Sequence, residues 1–126
     1  MSTLRCTNLQ DTSGGNSLTT AQIYNGAAKA WVSFNSLGTV SIYAQHNVSS
    51  ITDNGIGDFT LNFTSAFSNT NYATVFGNMT DYVFDGRYLP NIKYNTRATG
   101  SVGIVIKYAG NGSSYDCDYT SVSIFR

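Results

Sequence analysis

An all-β fold is what this sequence predicts: an antiparallel β-sandwich or jelly roll of about eight strands, with a short N-terminal strand and one short helix. Three observations carry it. The chain has no Glu and only three Lys, so much of the best helix-forming material is missing, while Val, Ile, Thr, Tyr and Phe, which fit pleated, half-buried surfaces, are abundant. Apolar residues alternate with polar ones at period two in several segments. Turn clusters rich in Gly, Asn and Asp separate those segments at short, regular intervals, with no long helical pattern between them.

Leu4 to Leu9 carries a short alternation and predicts a strand, and Asp11-Thr-Ser-Gly-Gly-Asn16 predicts a turn. Thr20-Ala-Gln-Ile-Tyr-Asn-Gly26 has a capping residue at its start and a Gly at its end, which predicts one or two helical turns, too short to stand without packing. From Ala28 the period changes to two. Ala30, Val32 and Phe34 share one face, Asn35-Ser-Leu-Gly38 turns the chain, and Val40, Ile42 and Ala44 share a face of the next strand, so Ala30 to His46 predicts a hairpin.

Asp53-Asn-Gly-Ile-Gly57 is a strong turn cluster, and beyond it Phe59, Leu61 and Phe63 alternate with polar residues in the clearest half-buried strand of the chain. A further strand starts at Tyr72. Residues 78 to 95 are less regular, hold the single Pro, Pro90, and contain an Asp85-Gly86 pair suited to a tight hairpin turn. Val102 to Tyr108 and Tyr115 to Phe125 close the chain as two strongly β segments around the turn at Gly110-Asn-Gly112. The division expected is an N-terminal lead over residues 1–26, with its short helix, and a β-sandwich domain over residues 27–126.

A chain of 126 residues that is 41% hydrophobic can bury one core and excludes two large domains. Charged residues make up 11%, against roughly 25% in ordinary soluble domains, and seven Lys plus Arg balance seven Asp. Zero net charge without a basic stripe argues against nucleic acid as a partner. Met1 to Thr12 has no signal-peptide core, and no apolar run of 18 residues occurs, so the expectation is assembly in a cytoplasm without membrane insertion. Two cysteines, Cys6 and Cys117, do not make a disulfide framework, and each reads better as a small buried hydrophobe.

Catalysis needs a convergent set of titratable groups, and the sequence offers none that stands out. His46 ends a strand with no second His beside it. Asp116-Cys117-Asp118 would place two carboxylates on one strand face, but nothing resembling a calcium loop surrounds them. Asp53, Asp58, Asp81 and Asp85 fall in or beside turn signals, where Asp is common for local reasons. The expectation is no catalytic residue, no metal and no cofactor. The aromatics say more: Tyr82, Phe84, Tyr88, Tyr94, Tyr115 and Tyr119 gather in the least regular stretch and beside the last turn. Tyr offers flat apolar area with a polar tip, which suits a binding surface, a subunit interface or the core. Tyr82, Phe84, Tyr88, Tyr115 and Tyr119 are the candidate binding residues.

One stretch resembles a known family. Lys29-Ala-Trp-Val-Ser-Phe-Asn35, Gly38-Thr-Val40, His46-Asn-Val-Ser-Ser-Ile-Thr-Asp-Asn-Gly-Ile-Gly-Asp-Phe-Thr-Leu-Asn-Phe-Thr64 and Asn71-Tyr-Ala73 look like the signature of short tail-fibre proteins of tailed bacteriophages. The opening Ser2-Thr-Leu-Arg5, Leu9 to Gly14 and the closing Val122-Ser-Ile-Phe125 resemble their ends, whereas Asn78 to Asp118 matches weakly. The resemblance implies a non-enzymatic virion structural protein. It would form a homotrimer, be attached to other virion proteins through Leu4, Cys6 and Leu9 of its lead, and present a β head domain to a host cell-surface glycan or protein. The chain has no shaft, repeat or coiled coil, which leaves room for a capsid decoration or head-fibre protein without a receptor. A glycan depolymerase is a third reading.

Overall fold

The computed structural model describes residues 2–3, 5–79 and 88–126. It is the expected sandwich: two four-stranded antiparallel sheets face each other across one core, and a two-stranded hairpin with a helix precedes them. The elements are β1 (Asn8–Gln10), β2 (Ser17–Thr19), α1 (Thr20–Gly26), β3 (Ala28–Asn35), β4 (Ser41–His46), β5 (Val48–Gly55), β6 (Asp58–Phe63), β7 (Ala73–Met79), β8 (Tyr88–Ile92), β9 (Ser101–Tyr108) and β10 (Tyr119–Phe125). One sheet has the order β4-β3-β10-β7 and the other β5-β6-β9-β8. Consecutive strands pair as hairpins (β3 with β4, β5 with β6, β8 with β9) and the last strand returns between β3 and β7, so the architecture is the sandwich rather than the jelly roll of the expectation.

The period-two segments bury the faces the alternation assigns. Ala30, Val32 and Phe34 of β3 and Val122 and Ile124 of β10 line one inner face, and Phe59 and Leu61 of β6 with Val102, Ile104 and Ile106 of β9 line the other. Phe34 meets Phe59 edge to face, with ring centroids 5.7 Å apart, which ties the two sheets at the centre. Burial of each such side chain contributes roughly 1.5–3 kcal/mol. Pro90 is tolerated because β8 is an edge strand, where a missing N–H leaves no ladder partner unsatisfied on the open side.

The chain crosses from one sheet to the other in a single residue. Asn47, at φ 53°, separates β4 from β5. Its Nδ2 donates to the carbonyls of Lys29 and Ser65, both at 3.2 Å, and its Oδ1 accepts from the Ser65 N–H at 2.8 Å. Asn is among the few residues that adopt this left-handed conformation cheaply, and its amide here knits the corner to both β3 and the strand-leaving segment after β6.

Several boundaries differ from the expectation. Two short strands, not one, precede the helix, because the Asp11–Asn16 turn closes a hairpin with Leu9 opposite Leu18. The helix cap is Thr19, whose hydroxyl accepts from Gln22 N–H while the Gln22 side chain accepts from Thr19 N–H, a capping box. β5 is a strand that period-two reading passes over, because its exposed edge position admits Ser, Thr, Asp and Asn at nearly every site. The last strand begins at Tyr119, not Tyr115, since residues 115–118 are held by other contacts described below. Cys6 is exposed and Cys117 buried, both as free thiols, so only Cys117 behaves as a small hydrophobe. The expected Asp85-Gly86 turn lies outside the described residues.

Candidate functional site

Strand direction sorts the molecule into two poles. At the basal pole lie the end of the lead at Ala27, the Asn47 crossing, residues 64–72 between β6 and β7, residues 93–100 between β8 and β9, and Arg126. At the distal pole lie the β3–β4 and β5–β6 turns and residues 109–118 between β9 and β10, and β7 ends and β8 begins at this end.

The distal pole carries a cluster of three tyrosines. Antiparallel pairing sets Tyr88 of β8 opposite Tyr108 of β9. The turn at Gly110–Gly112, with Gly112 at φ 73° and its N–H on the Tyr108 carbonyl, folds the chain back along β9 so that Tyr115 N–H reaches the Ile106 carbonyl. Tyr115 then lies against both partners: ring centroids are 5.6 Å apart for Tyr88 and Tyr108, 5.2 Å for Tyr88 and Tyr115, and 6.0 Å for Tyr108 and Tyr115. Desolvation, then the neighbouring Tyr115, Cys117 and Tyr108, raises the Tyr88 phenol above its ordinary range.

The segment behind this cluster is pinned to both sheets. Asp116 Oδ1 accepts from the Gly57 N–H at 2.7 Å. The buried Ser36 hydroxyl donates to the Cys117 carbonyl at 2.8 Å and accepts from the Cys117 N–H at 2.7 Å, and the Ser36 N–H adds a bond to the same carbonyl. Burial raises the Cys117 thiol above its ordinary range, with Asp118 and Asp116 acting in the same direction and the Asn78 amide opposing, so Cys117 packs rather than reacts. The two carboxylates of Asp116-Cys117-Asp118 therefore do not share a strand face. Asp116 holds a turn, and Asp118 lends its carbonyl to the Tyr43 hydroxyl at 3.1 Å.

Asp53 and Asp58 also have local roles, and Asp81 and Asp85 lie outside the described residues. Asp53 accepts from the Gly55 N–H at 2.9 Å, and Asp58 pairs with Lys93 at 2.5 Å. Among the described residues no set of three His, Cys or Asp could hold a metal ion. What the distal pole offers chemically is flat aromatic area with phenol tips on a fixed support, which suits recognition.

Of the candidate binding residues, Tyr88 and Tyr115 come together. Tyr119 stacks on Tyr43 instead, with centroids 5.4 Å apart and planes at 20°. Tyr82 and Phe84 lie outside the described residues. Tyr94 is at the basal pole and 95% exposed. Sequence reading missed Tyr108 and Tyr43. Tyr108 shares the parity of the core residues Val102, Ile104 and Ile106, and its face emerges only because the strand outruns the core. Tyr43 sits where β4 shifts register against β3, which breaks the alternation that would have assigned its side.

The lead shows the opposite character. No residue of β1, β2 or α1 is buried, although Leu9 is 58%, Leu18 50% and Tyr24 62% exposed. Of the three attachment candidates, Cys6 and Leu9 are exposed and Leu4 lies outside the described residues. Leu18, Ile23 and Tyr24 join them as apolar side chains without cover. The lead is tied to the sandwich at Lys29, whose ammonium donates to the Tyr24 carbonyl and lies 3.5 Å from the centroid of the Tyr24 ring. No helix is long and apolar enough to cross a membrane among the described residues. Comparison with known families, with characterised proteins and with solved structures finds no match.

Proposed function

We propose that this chain is a virion structural protein of a tailed bacteriophage, of short tail-fibre type. In this reading the lead attaches to another virion protein, and three copies of the sandwich present their distal poles to a host-surface glycan or protein. The observation that carries the reading is the division of labour between poles: an apolar lead with nothing buried at one end, and a pinned tyrosine cluster at the other. An apolar segment left exposed in one copy is an assembly element, since burial against a partner is what stabilises it. The resemblance of Ala28 to Ala73 to fibre proteins agrees with this.

The outer faces of the two sheets also differ in the way a trimer needs. Across the β5-β6-β9-β8 sheet, Asn62 donates to the hydroxyls of Ser50 and Thr52 and Asn54 donates to that of Thr60, a self-satisfied polar ladder suited to water. Across the β4-β3-β10-β7 sheet, register sets Trp31, Ser123 and Val75 in one row, with Trp31 and Val75 exposed. Contacts between copies would use this second face.

Adsorption of the purified protein to host cells tests the reading. Tyr88→Ala and Tyr115→Ala each remove one wall of the cluster. Each is expected to weaken adsorption at least tenfold, about 1.4 kcal/mol or more per site, and the loss should multiply across three copies. The oligomer mass should stay unchanged, and since Tyr88 also packs against the core, Tyr88→Phe, which keeps the ring and removes only the phenol, controls for lost stability. Adsorption that persists in the double variant would remove the distal pole from recognition and favour a capsid-decoration role. Soluble sugar released from host envelope would instead favour the depolymerase reading.

A further inference from the structure

The chain has zero net charge, but among the described residues of the sandwich the carboxylates and most of the cations stand at different ends, Lys107 being the distal exception. The described carboxylates of the sandwich all lie toward the distal half: Asp53 and Asp58 flank the β5–β6 turn, and Asp116 and Asp118 sit between β9 and β10. The basal pole carries Lys29, Lys93, Arg97 and Arg126, of which Lys93 reaches up the sheet to pair with Asp58. Lys29 and Arg126 line one hollow together with Tyr24, Phe67 and Ser68. Phe67 packs on the buried Tyr72, with centroids 5.3 Å apart, and the Arg97 guanidinium lies 5.5 Å from the Tyr72 ring centroid, which places a third cation at the same pole outside the hollow. Among the described residues none of the three pairs with a carboxylate, the one ion pair being Lys93 with Asp58. Asp11, in the lead, is hydrogen-bonded by Asn16 and Ser13 of its own turn, contacts that lower its pKa and keep it ionised, and it lines a separate hollow with Leu9 and Leu18, so the hairpin tip is acidic and stands apart from the cationic surface.

We infer that the basal pole is a second half of the attachment surface, shaped for a carboxylate-rich protein surface: Lys29, Arg97 and Arg126 supply its cations, and Tyr24 and Phe67, which line one hollow with Lys29 and Arg126, supply its apolar contact. This rests on the reading of the lead as an attachment element and adds the chemistry of its partner. A protein fits better than a polyphosphate for two reasons. Three cations release too few counterions to hold a nucleic acid at physiological salt, where affinity scales with the number of phosphates neutralised. A polyphosphate also has no use for the aromatic side chains of Tyr24 and Phe67 in the same hollow, whereas protein interfaces combine apolar contact with a charged rim. The segregation has a kinetic effect as well: a dipolar head approaching an acidic platform is steered base first, which leaves the acidic distal pole pointing outward.

The test uses the full chain and immobilised poly-L-glutamate as a probe. Wild type is expected to be retained at roughly 50 mM salt, where screening is weak, and to elute as salt rises. The triple variant Lys29→Gln, Arg97→Gln, Arg126→Gln should appear in the flow-through. Lys107→Gln, a cation removed from the distal pole, should elute with wild type. Wild type that is not retained, or a Lys107→Gln variant that loses as much as a single basal change, would overturn the inference. So would tighter retention on immobilised duplex DNA at the same salt, which would assign the surface to polyphosphate. Particle assembly then separates the two ideas. If wild type enters particles and the triple variant does so equally well, the basal rim is not used in attachment although the lead is. If wild type never enters particles, the virion reading fails whatever the column shows.

Discussion

Gly57→Ala is expected to destabilise the protein by about 4 kcal/mol or more, which for a domain of this size lowers the melting temperature by roughly 15 °C. Gly57 has φ 63°, and a Cβ there would lie 2.6 Å from the Ile106 carbonyl oxygen, 2.7 Å from Tyr115 N and 2.8 Å from the Tyr115 carbonyl oxygen. None of these atoms can move away cheaply. The Gly57 carbonyl accepts from Ile106 N–H, the Ile106 carbonyl accepts from Tyr115 N–H, and Asp116 accepts from Gly57 N–H. The left-handed backbone alone costs a non-glycine residue roughly 1–2 kcal/mol, and three backbone contacts this short force the strand pair β6–β9 away from the 109–118 segment. Because that segment carries Tyr115, adsorption should fall with stability. Gly100→Ala, where a Cβ would meet nothing within 4 Å, serves as the control and should change stability by less than about 0.5 kcal/mol. Chemical denaturation of the two variants measures the difference.

Asn47→Ala should cost about 2–3 kcal/mol. It forfeits a side chain suited to φ 53° and three amide hydrogen bonds that fasten the sheet crossing to Lys29 and Ser65. Asn47→Gly separates the two contributions. Glycine adopts the left-handed backbone freely, so about 1 kcal/mol should return, and what remains lost belongs to the amide bonds. If the Gly and Ala variants are equally destabilised, the backbone conformation contributes nothing and the account of the corner is wrong. Asn47 also borders the hollow that holds Lys29 and Arg126, so its loss should loosen the basal pole before the distal one, visible as faster amide exchange at Ser65 than at Ile106.

What could be read from the sequence followed the strength of the period-two signal. β3, β6, β9 and β10 bury one face and leave the other in contact with water, so alternation and outcome agree there almost residue by residue. β5 escaped because an edge strand has little apolar surface to alternate, and the β1–β2 hairpin escaped because neither strand buries anything. The end of the chain was read four residues too long: Tyr115 to Asp118 looks like strand sequence, but Asp116 and Cys117 are captured by Gly57 and Ser36, contacts 59 and 81 residues away in the chain that no local pattern encodes. For the same reason Tyr88 and Tyr115 could be suspected as binding residues while their meeting with Tyr108 could not. Charge segregation was hidden as well, because a net charge of zero says nothing about where the charges stand.

The central claim is that the lead attaches and the sandwich stands by itself. Removal of residues 1–16 deletes β1 and the Asp11–Asn16 turn and takes no buried side chain from the described sandwich. The measurement is the melting temperature of the shortened protein alongside its incorporation into particles. The expected result is a melting temperature within a few degrees of the full chain and a particle from which the protein is absent. A shortened chain that fails to fold would place the lead in the core, and one that folds and still enters the particle would place attachment elsewhere on the molecule.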